Sequence, residues 1–351
     1  MAAPRAEPFP LHYHSHFFLL VTAAEKTPTK AALIAGFAAI YLIWGSTYLG
    51  IRIAVETMPP FLMAGARFLV AGSILTAWIA FTGGFRATRR QWFDNTIIGG
   101  LLLLGGNGLV SWAEQKVPSG IATLIISVSP LFIVLLDWLV LLVGKDATRG
   151  SRPTPAIFVG IALGFVGLAL LVGPDLREGA GQLDPWRVGG LVLACLSWGL
   201  GSIYTRYARN QAAPFTGAAI QQLTGAVWLF VVSLILREPA HFDFAAVSGR
   251  SLLAWAYLVG AGSLVGFTTF IWLMKHSTPA KVSTYAYVNP VVAVFLGWLV
   301  LHESVSPRIF FAAGIIIAGV AIITVAKSRK AAIPSRPAGA VALAEPVREN
   351  T

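Results

Sequence analysis

Ten separate apolar runs constrain this chain more than any other feature. A bilayer core about 30 Å thick is crossed by roughly 20 apolar residues of helix. Runs that satisfy this lie at 31–54, 60–82, 95–113, 119–143, 155–173, 187–208, 214–236, 251–274, 280–301 and 307–326. Prolines and small polar residues separate them, as at Pro59-Pro60, Pro118, Pro155, Pro185, Pro214, Pro279 and Pro307. Only 12% of the 351 residues are charged, against roughly 25% in a soluble domain. The expected fold class is all-α, a polytopic membrane protein of ten transmembrane helices.

The runs repeat. Sliding the chain on itself by 154 positions brings Trp44 onto Trp198, Gly45 onto Gly199, Pro60-Phe61 onto Pro214-Phe215 and Arg67 onto Gln221. At 160 positions, Ser129-Pro130 meets Asn289-Pro290, and 138–140 meets an identical Trp-Leu-Val at 298–300. At 152, Pro155 meets Pro307 and Gly167 meets Gly319. Five crossings per copy is an odd number, so the second copy enters the membrane upside down. The expectation is two inverted five-helix repeats, 31–174 and 175–327. A tail at 1–30 precedes them, and a disordered tail at 328–351 follows. Inverted repeats are the architecture of many secondary transporters, with the substrate site near the midplane between the halves.

The net charge is +11. With the N-terminus in the cytoplasm, 18 Lys and Arg fall on the cytoplasmic side, 7 on the other, and Arg67 within a span. That bias places both termini in the cytoplasm. It also explains the basic charge without nucleic acid, since no basic run is interleaved with aromatics. The single cysteine, Cys195, lies in an apolar run, which excludes a disulfide framework and a Cys-based metal site. His12, His14 and His16 form a possible metal set, but read better as a disordered tail or an upstream start, with Val21 an alternative start. No phosphate-binding Gly-Lys-Ser/Thr loop and no hydrolase motif is present, so neither ATP hydrolysis nor an enzyme is expected. No cofactor or resident metal is expected.

Unusual side chains recur inside the spans. "AIYLIWGSTYLGIR" (39–52) and "ACLSWGLGSIYTR" (194–206) each carry Trp-Gly, then a hydroxyl residue, Tyr and Arg. Inversion brings Trp44 and Trp198 to similar depth, away from the interfacial belt where Trp is usual. Each indole N–H wants a partner. Pro130 and Pro290 are mid-span helix-kink candidates that free a backbone carbonyl. Arg67 lies about seven residues into span 2, roughly 10 Å deep at 1.5 Å per residue. A buried Arg costs about 2.5–3.5 kcal/mol on insertion scales. It either clamps a substrate carboxylate, pairs with an internal acid, or snorkels outward. Its repeat mate Gln221 is neutral. Asp137, near the cytoplasmic end of span 4, either carries a coupling proton or is wetted or paired there. Glu114 reads as interfacial beside Lys116. Asn107, in "GGNG", either contacts substrate or satisfies a broken backbone. Tyr285 and Asn289, four apart, share a helix face. Tyr48 completes the substrate-binding candidates, with Tyr204, Gln222, Thr269 and Trp272 weaker. Gly160, Gly164, Gly262 and Gly266 read as packing positions. A pocket with many aromatics and one cation suits small amphipathic molecules with a carboxylate, such as amino acids.

"YLIWGSTYLGIR", "PPFLMAGARFLVAG", "GGNGLVSWAEQKVPSGIA", "SWGLGSIY" and "STYAYVNPVVAVFLGW" follow one another in order along the chain. Together they resemble the EamA branch of the drug/metabolite transporter superfamily, and within it the YedA-like bacterial inner-membrane proteins, over about residues 32–326. The resemblance implies ten helices around a central cavity, two EamA-like repeats, alternating access and export of small metabolites. The family's common Gly-Glu after helix 9 is His302-Glu303 here, which keeps the glutamate and loses the helix-ending glycine. The expected function is a secondary transporter exporting small amphipathic metabolites such as amino acids. Other solutes (drugs, nucleosides, sugar conjugates) and a non-transporting membrane scaffold are the alternatives. The expected partners are a small-molecule substrate and the lipid bilayer, with no nucleic acid, in a monomer or homodimer.

Overall fold

The computed structural model describes residues 28–143, 153–177, 183–208, 212–277, 279–282 and 284–332. The histidines at 12–16, Val21 and the tail beyond Ala332 lie outside them. Among the described residues the chain is helical throughout the spans. The helices are α1 (Lys30–Ala54), α2 (Pro60–Thr82), α3 (Arg89–Ala113), α4 (Ser119–Val143), α5 (Pro155–Arg177), α6 (Pro185–Tyr207) and α7 (Pro214–Ile235). α8 is built from three consecutive pieces, Gly249–Tyr257, Leu258–Val265 and Gly266–His276. α9 (Tyr285–Leu301) and α10 (Pro307–Ala332) complete the set. Nine of these are long and apolar enough to cross a membrane among the described residues, and α9 is a shorter apolar helix. α9 falls short of the expected 280–301 because Pro279–Val282 forms its own turn ahead of it. α10 runs through Ala332, so the first residues expected in the tail are helical.

Local chemistry sets the helix starts. Prolines take the first turn of α2, α6 and α7, where the missing N–H has no partner to lose. Thr29 caps α1, Asp184 caps α6, and Thr88 with Gln91 forms a capping box at α3. The outward surface is apolar: Phe81, Val143, Trp186, Leu253 and Phe311 are each more than 70% exposed. A protein in water would not display such a belt; lipid accepts it.

The packing exchanges helices between the repeats. α1 packs on α8 and α9, with Gly36 against Leu273, Gly50 against Leu258 and Gly45 against Val292. α6 packs on α3 and α4, with Gly190 against Trp112, Gly201 against Leu102 and Gly199 against Phe132 and Leu136. α2 lies on α7, with Gly65 against Phe230 and Gly72 against Leu223. α5 lies on α10 so closely that a Cβ on Gly160 or Gly319 would sit 2.7 Å from the other's carbonyl oxygen. Under the repeat, α1 corresponds to α6, α8 to α3 and α9 to α4. The α1–α8–α9 lobe is thus the inverted counterpart of the α6–α3–α4 lobe, and α2–α7 and α5–α10 are the pairs that join them. The face from which α1 enters and to which α10 returns is called the near face; the opposite one is the far face.

Each repeat also carries a π-helical stretch, Gly100–Gly108 in α3 and Leu258–Val265 in α8. Such stretches are rare and often sit at functional sites. They fall at corresponding places in the two repeats.

Candidate functional site

Trp44 stands in an aromatic box. Its ring centroid lies 5.1 Å from Phe270 of α8 and 5.0 Å from Tyr285 of α9, edge-on to the latter. Its indole nitrogen presses on Gly266, where a Cβ would fall 2.6 Å away. Trp198 lies against Gly106, the residue before Asn107, with its ring 2.9 Å from where a Cβ would be. Tyr48, one turn from Trp44 toward the far face, lies within electrostatic reach of Cys195 on α6, and of Tyr285 and Glu114. Trp198 is likewise one turn from Cys195, toward the near face. The two indoles thus each lie one turn toward the near face from the Tyr48–Cys195 pair, packed on neighbours of their own lobe.

Arg67 is 5% exposed and lies between α1, α2 and α8. Its Nε donates to Ser263 Oγ at 2.9 Å, and its guanidinium lies 4.8 Å from the Phe68 ring centroid. A Cβ on Gly262 would come within 3.1 Å of both Arg67 Nη2 and Thr47 Cγ2, so the π-helical stretch packs tightly on both. Among the described residues no carboxylate pairs with Arg67. Sealed polar atoms without a partner occur at Glu114, Gln222 and Asn289, among others.

Gln221 is not brought to Arg67. α2 and α7 run antiparallel, so Arg67 stands level with residues near 228, and Gln221 lies about 10 Å farther along the helix axis. Gln221 instead donates to Asn95 Oδ1 at 2.8 Å. Asn107 sits in the π-helical stretch of α3, its amide 3.5 Å from the Leu102 carbonyl. Asn289 is 8% exposed, and its buried Oδ1 has no partner. The two mid-span prolines act differently. α4 breaks at 127–128 just ahead of Pro130, and Ser129 Oγ caps the Ile126 carbonyl at 2.6 Å. Pro290 stays inside α9, which continues past it.

Asp137 is 1% exposed and held by partners from α6: the Tyr207 hydroxyl at 2.8 Å and Arg206 Nη1 at 3.2 Å. Its carboxylate is paired, one of the alternatives the sequence left open. Glu114 corrects the sequence reading more sharply. It is fully buried, not interfacial, and both its carboxylate oxygens lack hydrogen-bond partners. Glu303 stands near it. The Glu303 carboxylate accepts from the Ser119 N–H at 2.8 Å, the Ser119 hydroxyl at 3.0 Å and the Gly120 N–H at 3.1 Å, capping the start of α4. Arg52 donates to the Glu114 main-chain carbonyl. The pairings that bury Glu114 come from 62 and 189 positions away, and no local signal carried them. Ser263, Thr47 and Phe270 were also missed; the repeated glycine clusters in spans 3 and 8 were the available signal.

A separate groove of about 810 Å³ opens between α9 and α10, lined by Pro290, Phe295, Trp298, His302 and Phe310. Phe295, Trp298 and Phe310 are exposed, so it faces the hydrocarbon rather than the Trp44–Trp198 region.

The EamA-like transporter family model matches this sequence twice, over residues 30–173 and 186–325. The inner membrane transporter YedA of Escherichia coli (strain K12) is 36% identical over 290 residues, covering 82% of this chain and 89% of its own. The transporter YoaV of Bacillus subtilis (strain 168) is 24% identical over 303 residues, 84% of this chain and 97% of its own. A protein of Escherichia coli (strain K12) named a probable amino-acid metabolite efflux pump is 25% identical over 303 residues, 81% and 91%. A solved crystal structure superposes with a TM-score of 0.57 at 23% identity, over 84% of this chain and 97% of that one, which supports the fold.

Proposed function

The chain belongs to the EamA-like transporter family, and from that premise we propose that it exports small amphipathic metabolites bearing a carboxylate, amino acids above all, by alternating access. It is a multi-pass membrane transporter and not an enzyme. The observation that carries the substrate class is Arg67. Its guanidinium is buried, oriented by Ser263 and, among the described residues, left without a carboxylate partner. A buried cation placed so, its terminal nitrogens without a described hydrogen bond, suits a carboxylate from outside the chain in two parallel hydrogen bonds. Trp44, Tyr285 and Phe270 offer the apolar part of the substrate a wall of rings. Trp198 and Asn107 of the other lobe, Asn289 of α9 and Tyr48 of α1 would add a further ring, two amides and a hydroxyl. One relative's name, an amino-acid metabolite efflux pump, agrees with this class.

The near face is the cytoplasmic one, as the distribution of Lys and Arg favours. On this reading the far face is the closed one. Glu303 closes the far face by linking the α9–α10 connection to α4, one lobe to the other. At the near face, Tyr41 with Thr284, Tyr204 with Asp94 and Tyr207 with Asp137 each bond within a lobe.

Uptake of labelled amino acids into proteoliposomes tests the reading. Charge-assisted hydrogen bonds are worth about 1.5–3 kcal/mol, so Arg67→Ala should raise KM roughly 10- to 100-fold with kcat less affected, and Arg67→Lys should recover part of the loss. Unchanged KM in Arg67→Ala removes the clamp. No flux of any amino acid through the wild type removes the substrate class, and a panel of nucleosides and drugs then follows.

A further inference from the structure

Glu114 follows the last turn of α3 at the far face, with no measurable exposure and with both carboxylate oxygens lacking hydrogen-bond partners. Charged and titratable groups face it from three sides. Arg52 and Tyr48 come from α1; the described hydrogen bond of Arg52 goes to the Glu114 carbonyl, not to its carboxylate. Glu303 comes from the α9–α10 connection, its own carboxylate occupied by Ser119 and Gly120. From α6 comes Arg187, which donates to the Trp112 carbonyl and to Gln115 Oε1; Cys195 lies within electrostatic reach of Tyr48. Lys116, two residues on, pairs with Asp184. Each nearby cation thus makes its described hydrogen bond elsewhere, and the nearest acid repels.

A carboxylate without donors in a sealed apolar site is costly, whereas the neutral acid is not. Burial first, and the Glu303 charge second, push Glu114 well above the ordinary carboxylate range, against the opposing pull of Arg52. We propose that Glu114 is a proton-binding site of the transport cycle, over which the far-face gate closes only when the carboxyl is neutral. Each closure takes one proton from water on the far side. Release of that proton toward the near side leaves a buried carboxylate, which favours reopening. Uptake on one side and release on the other couple proton entry to substrate export. This rests on the alternating-access reading above but not on which substrate is carried.

The test begins without substrate. Infrared spectra of the purified protein at neutral pH should show a protonated-carboxyl band that is lost in Glu114→Gln. Glu303→Gln should move its titration to lower pH. Stability adds a second readout. Because the folded chain keeps this proton where the unfolded chain has lost it, Tm should fall as pH rises above about 4.3, and Glu114→Gln should remove that slope. In proteoliposomes, a pH gradient of one unit coupled to one proton supports at most about tenfold accumulation. Glu114→Gln, neutral and near-isosteric, should keep substrate exchange and lose the response to the gradient. A spectrum unchanged by the substitution, a variant that still follows the pH gradient, or accumulation driven by a sodium gradient overturns the proposal. If the wild type carries no amino acid, the substrate reading fails, and the infrared band still decides the proton site.

Discussion

At the far face, buried residues of α1, α3, α4, α6 and α8 share one apolar core, from Ile51 and Val55 through Val110 and Leu124 to Leu191 and Leu258, running on along the α5–α10 pair. At the near face the buried apolar residues divide. Ile40, Leu273 and Val282 form one cluster on α1 and α8 and beside α9, and Leu75, Ile79, Ala218 and Ala219 form another on α2 and α7. The α3–α4–α6 lobe ends there in polar pairs instead, Asp94 with Tyr204 and Asp137 with Arg206 and Tyr207. The same inverted unit supplies both faces, so their difference is conformational as well as chemical. A core continuous across both lobes locks them; near-face clusters and pairs that do not join α1–α8–α9 directly to α3–α4–α6 leave the lobes free to part there. Exchanging which face is continuous is what an alternating-access carrier has to do.

The comparison is broken most severely at Glu303. It holds three donors at the start of α4 across the lobe boundary. Bonds to a charged group are worth about 1.5–3 kcal/mol each and do not add fully, so Glu303→Ala should cost roughly 2–4 kcal/mol and lower Tm. Cys195 reports the location of the damage. It is the single cysteine of the chain, fully buried in the far-face core, with its thiol 3.4 Å from the Ile125 carbonyl. Maleimide labelling of Cys195 should be slow in the wild type and much faster in Glu303→Ala. Slow labelling in a destabilised variant would show that Glu303 supports the fold without holding the far face shut.

Much of this was legible in the residues. The apolar runs and their prolines mark the helices, because lipid leaves the backbone few other choices. The offset identities mark the repeat, and its odd number of crossings marks the inversion. Arg67 and Trp44 stood out as side chains too polar or too large for their depth. Glu114 did not, because a glutamate at the end of an apolar run beside Lys116 has every local reason to be wet. Its burial comes from the α9–α10 connection folding over it. The π-helical stretches were hidden in glycine clusters that read equally well as ordinary close packing, and Gln221 misled because equivalent positions in inverted repeats lie at mirrored depths rather than at the same one.

Two smaller substitutions sharpen the comparison from either face. At the near face, Asp137→Asn removes a charge whose partner Arg206 has a side chain 58% exposed and readily solvated. The cost should stay near 1 kcal/mol or below, with Cys195 labelling unchanged and the response to a pH gradient intact. Loss of that response with Glu114 in place would move proton coupling to the near face. At the far face, His302 ends α9 at φ 53°, a left-handed position where a side chain is strained and glycine is not. Its N–H closes on the Gly297 carbonyl, and Glu303 follows directly, so the strain sits in the hinge that delivers the cap to α4. His302→Gly should raise stability by about 0.5–1 kcal/mol and slow Cys195 labelling further. A rise in Tm with faster labelling would mean that the histidine's strain keeps the far face closed rather than helping it to open.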